Sequence, residues 1–168
     1  MSPEVEAYLS LIAEVAVATV ALSGITMVLI FSRIQLTEPK MGHIVAQLSI
    51  AFAVVVFALF PLMAINMPFV DEHLWRISSG CYLTLILTLQ AMRLLKNSPL
   101  PNVSGYMNIP TTIPGVTAVI LLTANIWLGE AWPHVLQLFI ALVFSLALFL
   151  MFIYASISEL LNEQDRPT

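Results

Sequence analysis

Charged side chains are scarce in this sequence. Asp, Glu, Lys and Arg make up 10% of its 168 residues, whereas they make up about 25% of an ordinary soluble domain. Apolar residues make up 60% of the chain, and its mean hydropathy is +0.95. So little charge cannot cover so much apolar surface in water. The composition therefore excludes an ordinary soluble domain and predicts an integral membrane protein surrounded by a lipid bilayer.

Features that define several common functional classes are also missing. The net charge is −4 and the few cations form no basic patch, which argues against nucleic acid as a partner. Cys81 is the only cysteine, so one chain cannot form an internal disulfide or a zinc site built from several cysteines. The sequence contains no phosphate-binding loop, H-E-x-x-H motif or nucleophile elbow. We therefore expect no enzymatic activity and no catalytic residues.

Long apolar runs dominate what is present. A membrane helix needs about 20 apolar residues, and continuous apolar runs favour helices over the alternating pattern of a β-barrel. We predict an all-α polytopic membrane protein of five transmembrane helices that forms a single domain, with a polar cytoplasmic tail at 158–168. The first run follows Glu4 and Glu6 without a preceding Lys or Arg, so we expect a retained helix rather than a signal peptide. The predicted spans are residues 7–31, 44–66, 74–95, 113–130 and 134–157.

The distribution of cations predicts the orientation. With five spans, most Lys and Arg residues fall on the side that holds the C-terminus, where positive charge marks the cytoplasm. The N-terminus is then outside. Tryptophans prefer the membrane interface, and all three fall near the predicted outer boundary. The cations are Arg33, Lys40, Arg93, Lys96 and Arg166, and the tryptophans are Trp75, Trp127 and Trp132.

Glu14 interrupts the first apolar run. A charged side chain deep in a bilayer costs about 3 kcal/mol on insertion scales, so such a residue needs a partner, water or a function. At 100° per residue, Glu14 shares a helix face with the small residues Ala18 and Ala21. We expect this face to pack on protein or to line an aqueous cavity, with Arg76 as the partner of the carboxylate.

Polar residues within the spans are predicted to form two layers. The outer layer is a pore or buried polar cluster, and the inner layer lies near the cytoplasmic ends. Few polar residues lie between the layers, which indicates an apolar constriction that could gate an ion path. A purely structural role in helix docking is the alternative for Glu14 and Arg76. The outer layer comprises Glu14, Arg76, Ser79, Asn125 and Gln137, and the inner layer Gln47, Gln90 and Arg93.

The three histidines do not predict a metal site. No two of His43, His73 and His134 share a helix face with metal-ligand spacing. We therefore expect neither a metal nor another cofactor. Pro61, near the end of the second span, is expected to kink its helix and to free the carbonyl of Phe57.

Two segments resemble known proteins. The stretch LSGITMVLIFSR at 22–33, with Glu14 upstream, and the stretch LWRISS at 74–79 are similar to segments of small bacterial integral membrane proteins with no assigned activity. The resemblance covers the first three helices. It implies a bacterial inner (cytoplasmic) membrane location and identifies no functional residue.

The functional hypothesis rests on the small number of predicted spans and on Glu14. Five spans are few for a transporter built of repeats, whereas several copies around an axis could enclose a path. We predict a homo-oligomeric membrane channel or pore for small ions, in which ionised Glu14 carboxylates favour cations. The alternative is a non-catalytic accessory or scaffold subunit that binds a different membrane partner subunit through its small-residue faces. An electron-transfer or quinone-handling protein is a third alternative.

Overall fold

The computed structural model describes residues 1–31, 38–64, 73–94 and 108–164. Within these ranges the side chains at 31, 38–43, 89–90, 92–94, 108–114 and 159–164 lie outside the description. Across the described residues the regular structure is five α-helices, which confirms the all-α class. The helices are α1 (Pro3–Phe31), α2 (Glu38–Ala64), α3 (Leu74–Leu94), α4 (Asn108–Leu128) and α5 (Ala131–Gln164).

Three helices are long and apolar enough to cross a membrane. Among the described residues these are Pro3–Ile30, Ile44–Ala64 and Ala131–Ser158, and Gly115–Leu128 is a shorter apolar stretch. The helices differ from the predicted spans chiefly at their ends, because backbone hydrogen bonding continues through polar residues where an apolar window stops. Thus α1 begins at Pro3, and α5 continues to Gln164 into the predicted polar tail.

The five helices alternate in direction, and α5 packs against all four others. Helix α1 packs mainly on α2 and α5, whereas α3 packs mainly on α4. We call the end that holds Pro3, Leu74, Leu128 and Ala131 the N-terminal end of the bundle. The largest completely buried apolar side chains in the described core are Leu9, Val54, Leu122, Leu138 and Leu148.

The outward faces of the helices are apolar as well. Val28 of α1 is 72% exposed, and Ile120 of α4 is 62% exposed. A soluble protein rarely exposes such extensive apolar patches. The surface of the bundle is therefore compatible with integral membrane localisation.

A two-residue link joins α4 to α5. Gly129 has φ of 73°, and its N–H donates to the Asn125 carbonyl at 2.8 Å. This is the left-handed conformation that commonly ends a helix and that glycine adopts without steric penalty. A Cβ at position 129 would also lie 2.8 Å from Nε of Arg76. Glycine therefore allows both the sharp turn and the close approach of α3.

Candidate functional site

A buried polar network lies near the N-terminal end of the bundle and joins α2, α3, α4 and α5. His134 is its centre and is 0% exposed. Its Nε2 lies 3.0 Å from the Phe57 carbonyl and 3.2 Å from Ser78 Oγ. Its Nδ1 lies 3.3 Å from Ser79 Oγ, and Ser79 Oγ accepts a 2.8 Å hydrogen bond from Asn125 Nδ2. We call these side chains the His134 network.

The partners determine the directions of these hydrogen bonds. A carbonyl oxygen only accepts, so the hydrogen bond to Phe57 requires a proton on Nε2 of His134. The lone pair on Nδ1 can then accept the hydroxyl proton of Ser79. Ser79 Oγ in turn accepts from Asn125, whose Nδ2 can only donate. The network thus fits a neutral imidazole with the proton on Nε2.

The Phe57 carbonyl is available because of Pro61. In a regular helix the carbonyl of residue 57 would accept from the N–H of residue 61, and proline has no N–H. Pro61 lies inside α2 and is completely buried. His134 from α5 supplies the missing donor. The structure thus confirms that Pro61 frees this carbonyl and shows where its hydrogen bond goes.

Asn125 also organises the α4–α5 link. Its Oδ1 accepts a 3.0 Å hydrogen bond from the backbone N–H of Glu130, while its Nδ2 donates to Ser79. Both the oxygen and the nitrogen of this side-chain amide are therefore hydrogen-bonded, and the side chain is completely buried. These contacts tie the link to α3.

Gln137 lies one helical turn beyond His134 on the same face of α5. The side chain of Gln137 lies close to the hydroxyl of Tyr82. Tyr82 stacks on Phe57, with ring centroids 4.4 Å apart. Oε1 of Gln137 is buried and has no hydrogen-bond partner among the described residues. The predicted residues Ser79, Asn125 and Gln137 thus share one buried region, but Gln137 extends it with one unsatisfied acceptor.

Arg76 lies outside this buried region, contrary to its predicted pairing with Glu14. Its side chain is exposed, covers Gly129, and donates from Nη2 to the Trp127 carbonyl at 3.3 Å. The last carbonyls of a helix lack internal donors and attract cations. Arg76 therefore caps the C-terminus of α4 by donating to one of its last carbonyls. Because α1 packs on α2 and α5 instead of α3, Glu14 lies outside this contact.

The face of α1 that carries Glu14 was predicted to pack on protein, but it is the opposite face that packs against the bundle. Glu14 is exposed, whereas Ala16, Thr19 and Ser23 are buried against the bundle. At 100° per residue, Ser23 is about 180° from Glu14 around the helix. No hydrogen bond or ion pair to the Glu14 carboxylate occurs within the described ranges. Within a single chain, the expected packing of this face on protein is therefore wrong.

A second buried polar network, the Gln47 network, lies toward the opposite end. Gln47 Nε2 donates to Ser23 Oγ at 2.8 Å, and Ser23 Oγ donates to the Thr19 carbonyl at 2.6 Å. Ser145 Oγ of α5 donates to the Gln47 carbonyl at 3.2 Å. The network joins α1, α2 and α5. The side chains of the other predicted inner-layer residues, Gln90 and Arg93, lie outside the described residues.

Apolar packing separates the two networks. Their α5 members, His134 and Ser145, are roughly 17 Å apart along the helix at 1.5 Å per residue. Completely buried aliphatic side chains fill this interval, among them Val54, Leu122 and Leu138. The described interior of one chain therefore contains an apolar layer between two hydrogen-bonded layers.

Sequence reasoning missed His134 as a member of the outer cluster. The residue follows Pro133 at the start of a predicted span, and nothing in this position predicts that its side chain is buried. One sequence feature could have indicated its burial. Pro61 frees the Phe57 carbonyl, and that buried carbonyl needs a hydrogen-bond donor from another helix. Among the described residues, no group of three or more His, Cys, Asp or Glu side chains is placed to hold a metal ion.

Comparison with known proteins adds no relative. No protein-family model, no curated protein and no solved structure matches this chain.

Proposed function

We propose that the protein is a homo-oligomeric channel for small ions, with a preference for cations, in a bacterial inner membrane. All five helices are spans in this proposal, and the N-terminus lies outside. The observation that carries the proposal is the position of Glu14 at the centre of the exposed face of α1.

Lipid is an unfavourable environment for this face. Glu14 lies about 12 Å along the helix from Glu6, so it is more than two turns inside the apolar run. An ionised carboxylate surrounded by acyl chains costs about 3 kcal/mol at the bilayer centre, and part of that cost applies in the outer third of the span, where Glu14 lies. Water or polar groups from another copy would remove this cost. The exposed neighbours Ala18 and Ala21 are small, which favours close approach of a second helix.

The packing within one chain supports a path between copies. Buried aliphatic side chains fill the layer between the His134 and Gln47 networks in the described interior of a single subunit. An aqueous path is more easily formed at a symmetry axis, and closed cyclic symmetry is the usual arrangement of identical subunits. Each copy would then contribute one Glu14. A ring of carboxylates is a common element of cation-selective pores.

Ion flux from liposomes tests the role of Glu14. Wild type and Glu14→Gln are reconstituted at equal protein-to-lipid ratio, and cation flux is compared with anion flux. We expect Glu14→Gln to lower the cation-to-anion flux ratio by about tenfold, the equivalent of 1.4 kcal/mol. Glu6→Gln, which removes an exposed acid from the first turn, is the matched control and should leave the ratio unchanged. Equal ratios in wild type and Glu14→Gln would remove Glu14 from the ion path.

Cross-linking tests the assembly itself. In a Cys81→Ser background, Ala21→Cys places a thiol on the Glu14 face, and Ile120→Cys places one on the exposed face of α4. A short bis-maleimide should join Ala21→Cys chains into multimers but leave Ile120→Cys chains monomeric. A monomer in mild detergent, or a cross-link only to a different membrane protein, would contradict the channel and favour the accessory-subunit alternative.

A further inference from the structure

A pocket of about 330 Å³ opens at the N-terminal end of the bundle. It lies between the start of α1, the start of α3 and the α4–α5 link, on the surface side of the His134 network. This volume falls within the range of small-ligand sites, about 300–1,000 Å³. Its lining includes Trp75, Gly129, Glu130, Ala131 and Trp132.

One part of the lining suits a cation. Trp75 and Trp132 contribute two indole rings, and Glu130 contributes an exposed carboxylate. Indole faces attract ammonium groups, and a carboxylate accepts hydrogen bonds from a primary ammonium. Both rings also contact neighbouring rings. Trp132 lies 6.0 Å from Tyr8 between centroids, and Trp75 lies 5.9 Å from His134.

Groups beside this lining suit an anion. Arg76 lies against Gly129, which lines the pocket. A guanidinium has five N–H donors, and in the described structure the only hydrogen bond of Arg76 is to the Trp127 carbonyl. The pocket also borders the first residues of α5, Ala131 and Trp132, where backbone N–H groups lack internal acceptors. These donors favour a phosphate.

We propose that this pocket binds a phosphoethanolamine group, with the ammonium against Trp75, Trp132 and Glu130 and the phosphate toward Arg76. Glu130 follows Gly129 in the chain and the Arg76 side chain lies against Gly129, so groups of both signs lie near the pocket, as recognition of a zwitterion requires. The tryptophans at this end are typical of a membrane interface, so the source that fits best is the head group of a phosphatidylethanolamine lipid. Free phosphoethanolamine has the same recognition chemistry.

Native mass spectrometry of the full chain in detergent tests this site. Phosphatidylethanolamine, phosphatidylcholine and phosphatidylglycerol are offered at equal concentration. We expect about tenfold stronger retention of phosphatidylethanolamine than of phosphatidylglycerol, because the latter lacks the ammonium. Phosphatidylcholine should bind more weakly as well, since its quaternary ammonium cannot donate a hydrogen bond to Glu130. Equal retention of all three lipids, with no binding of soluble phosphoethanolamine, would overturn the proposal.

Variants inside and outside the lining test whether lipid binding depends on the pocket itself or on other residues at the N-terminal end of the bundle. Glu130→Gln and Trp132→Leu change exposed side chains of the lining. Each should abolish the preference for phosphatidylethanolamine over phosphatidylglycerol. The matched controls, Glu4→Gln and Trp127→Phe, alter an acid and an indole that lie outside the lining and should retain it. Arg76→Gln also alters the C-terminus of α4, so its folding is checked by circular dichroism. An unchanged preference in both Glu130→Gln and Trp132→Leu would refute the site.

Soluble phosphoethanolamine distinguishes the two sources. Its binding is followed by tryptophan fluorescence in wild type, Glu130→Gln and the Glu4→Gln control. Competition with bound lipid supports a head-group site, whereas binding without lipid retention supports the free molecule as ligand. These measurements need no ion flux, so their failure is distinguishable from failure of the channel proposal.

Discussion

His134 makes the hydrogen bond that Pro61 cannot make. Proline removes the donor that would have reached the Phe57 carbonyl within α2, and Nε2 of His134 lies 3.0 Å from that carbonyl. A buried carbonyl without a donor costs about 1–3 kcal/mol, so the two residues are energetically linked although they lie on different helices. This link joins α5 to α2 at the level of the His134 network.

A double-mutant cycle measures the link. We expect His134→Ala to lower the free energy of unfolding by about 3–5 kcal/mol, because it leaves buried polar groups unsatisfied and opens a cavity. In a Pro61→Ala background the new backbone amide at position 61 can donate to Phe57. The same His134→Ala change should then cost about 1 kcal/mol less. Unfolding is followed by circular dichroism during SDS titration of detergent-solubilised protein.

The control for this cycle is His73→Ala, which alters an exposed histidine before α3 and should leave stability unchanged. If the cost of His134→Ala is the same with and without Pro61, the hydrogen bond to Phe57 does not link them.

The Gln47 network offers a comparison between two hydroxyls on α1. Ser23 bonds back to its own helix and also accepts from Gln47 of α2, whereas the partly exposed Thr26 donates only to the Leu22 carbonyl. Ser23→Ala leaves the buried amide of Gln47 without an acceptor and should cost about 1–2 kcal/mol of unfolding free energy. Thr26→Ala should cost less than about 0.5 kcal/mol. Equal losses by SDS titration would show that the bond between α1 and α2 adds no stability.

Gly129 is predicted to be intolerant of a side chain. An alanine at φ of 73° costs about 1–2 kcal/mol, and its Cβ would also displace Arg76. Gly129→Ala should therefore lower the midpoint of thermal unfolding. Gly80→Ala is the control, because a Cβ there meets nothing within 4 Å and alanine favours the helix. A Gly129→Ala protein as stable as wild type would contradict this account of the link.

Gln137 and Tyr82 can be replaced together. Oε1 of Gln137 is already unsatisfied, so this buried pair contributes little net stability. The double change Gln137→Leu with Tyr82→Phe removes both partners and should alter the free energy of unfolding by less than about 1 kcal/mol. Tyr82→Phe alone should cost more, because it leaves the Gln137 amide wholly unpaired. A double variant less stable than Tyr82→Phe would contradict this account, because removing the unpaired Gln137 amide should then have relieved part of the cost.

The sequence predicted Ser79, Asn125 and Gln137 as one polar layer, and the structure places all three in the interior near the N-terminal end. Depth along a helix follows from residue number and the constant rise of 1.5 Å. Direction around a helix is harder to predict. Both faces of α1 carry small or hydroxyl side chains, so periodicity did not distinguish the buried Ser23 face from the exposed Glu14 face.

The amino-acid sequence by itself determined that this chain is helical and apolar, because continuous apolar runs with little charge satisfy their backbone groups best as helices. Tertiary structure alone decided that α1 packs on α2 and α5, which separates Glu14 from Arg76. It also decided that His134 is buried. That outcome depends on a carbonyl of α2 that lies 77 residues earlier in the chain, and such a contact forms only when the helices pack.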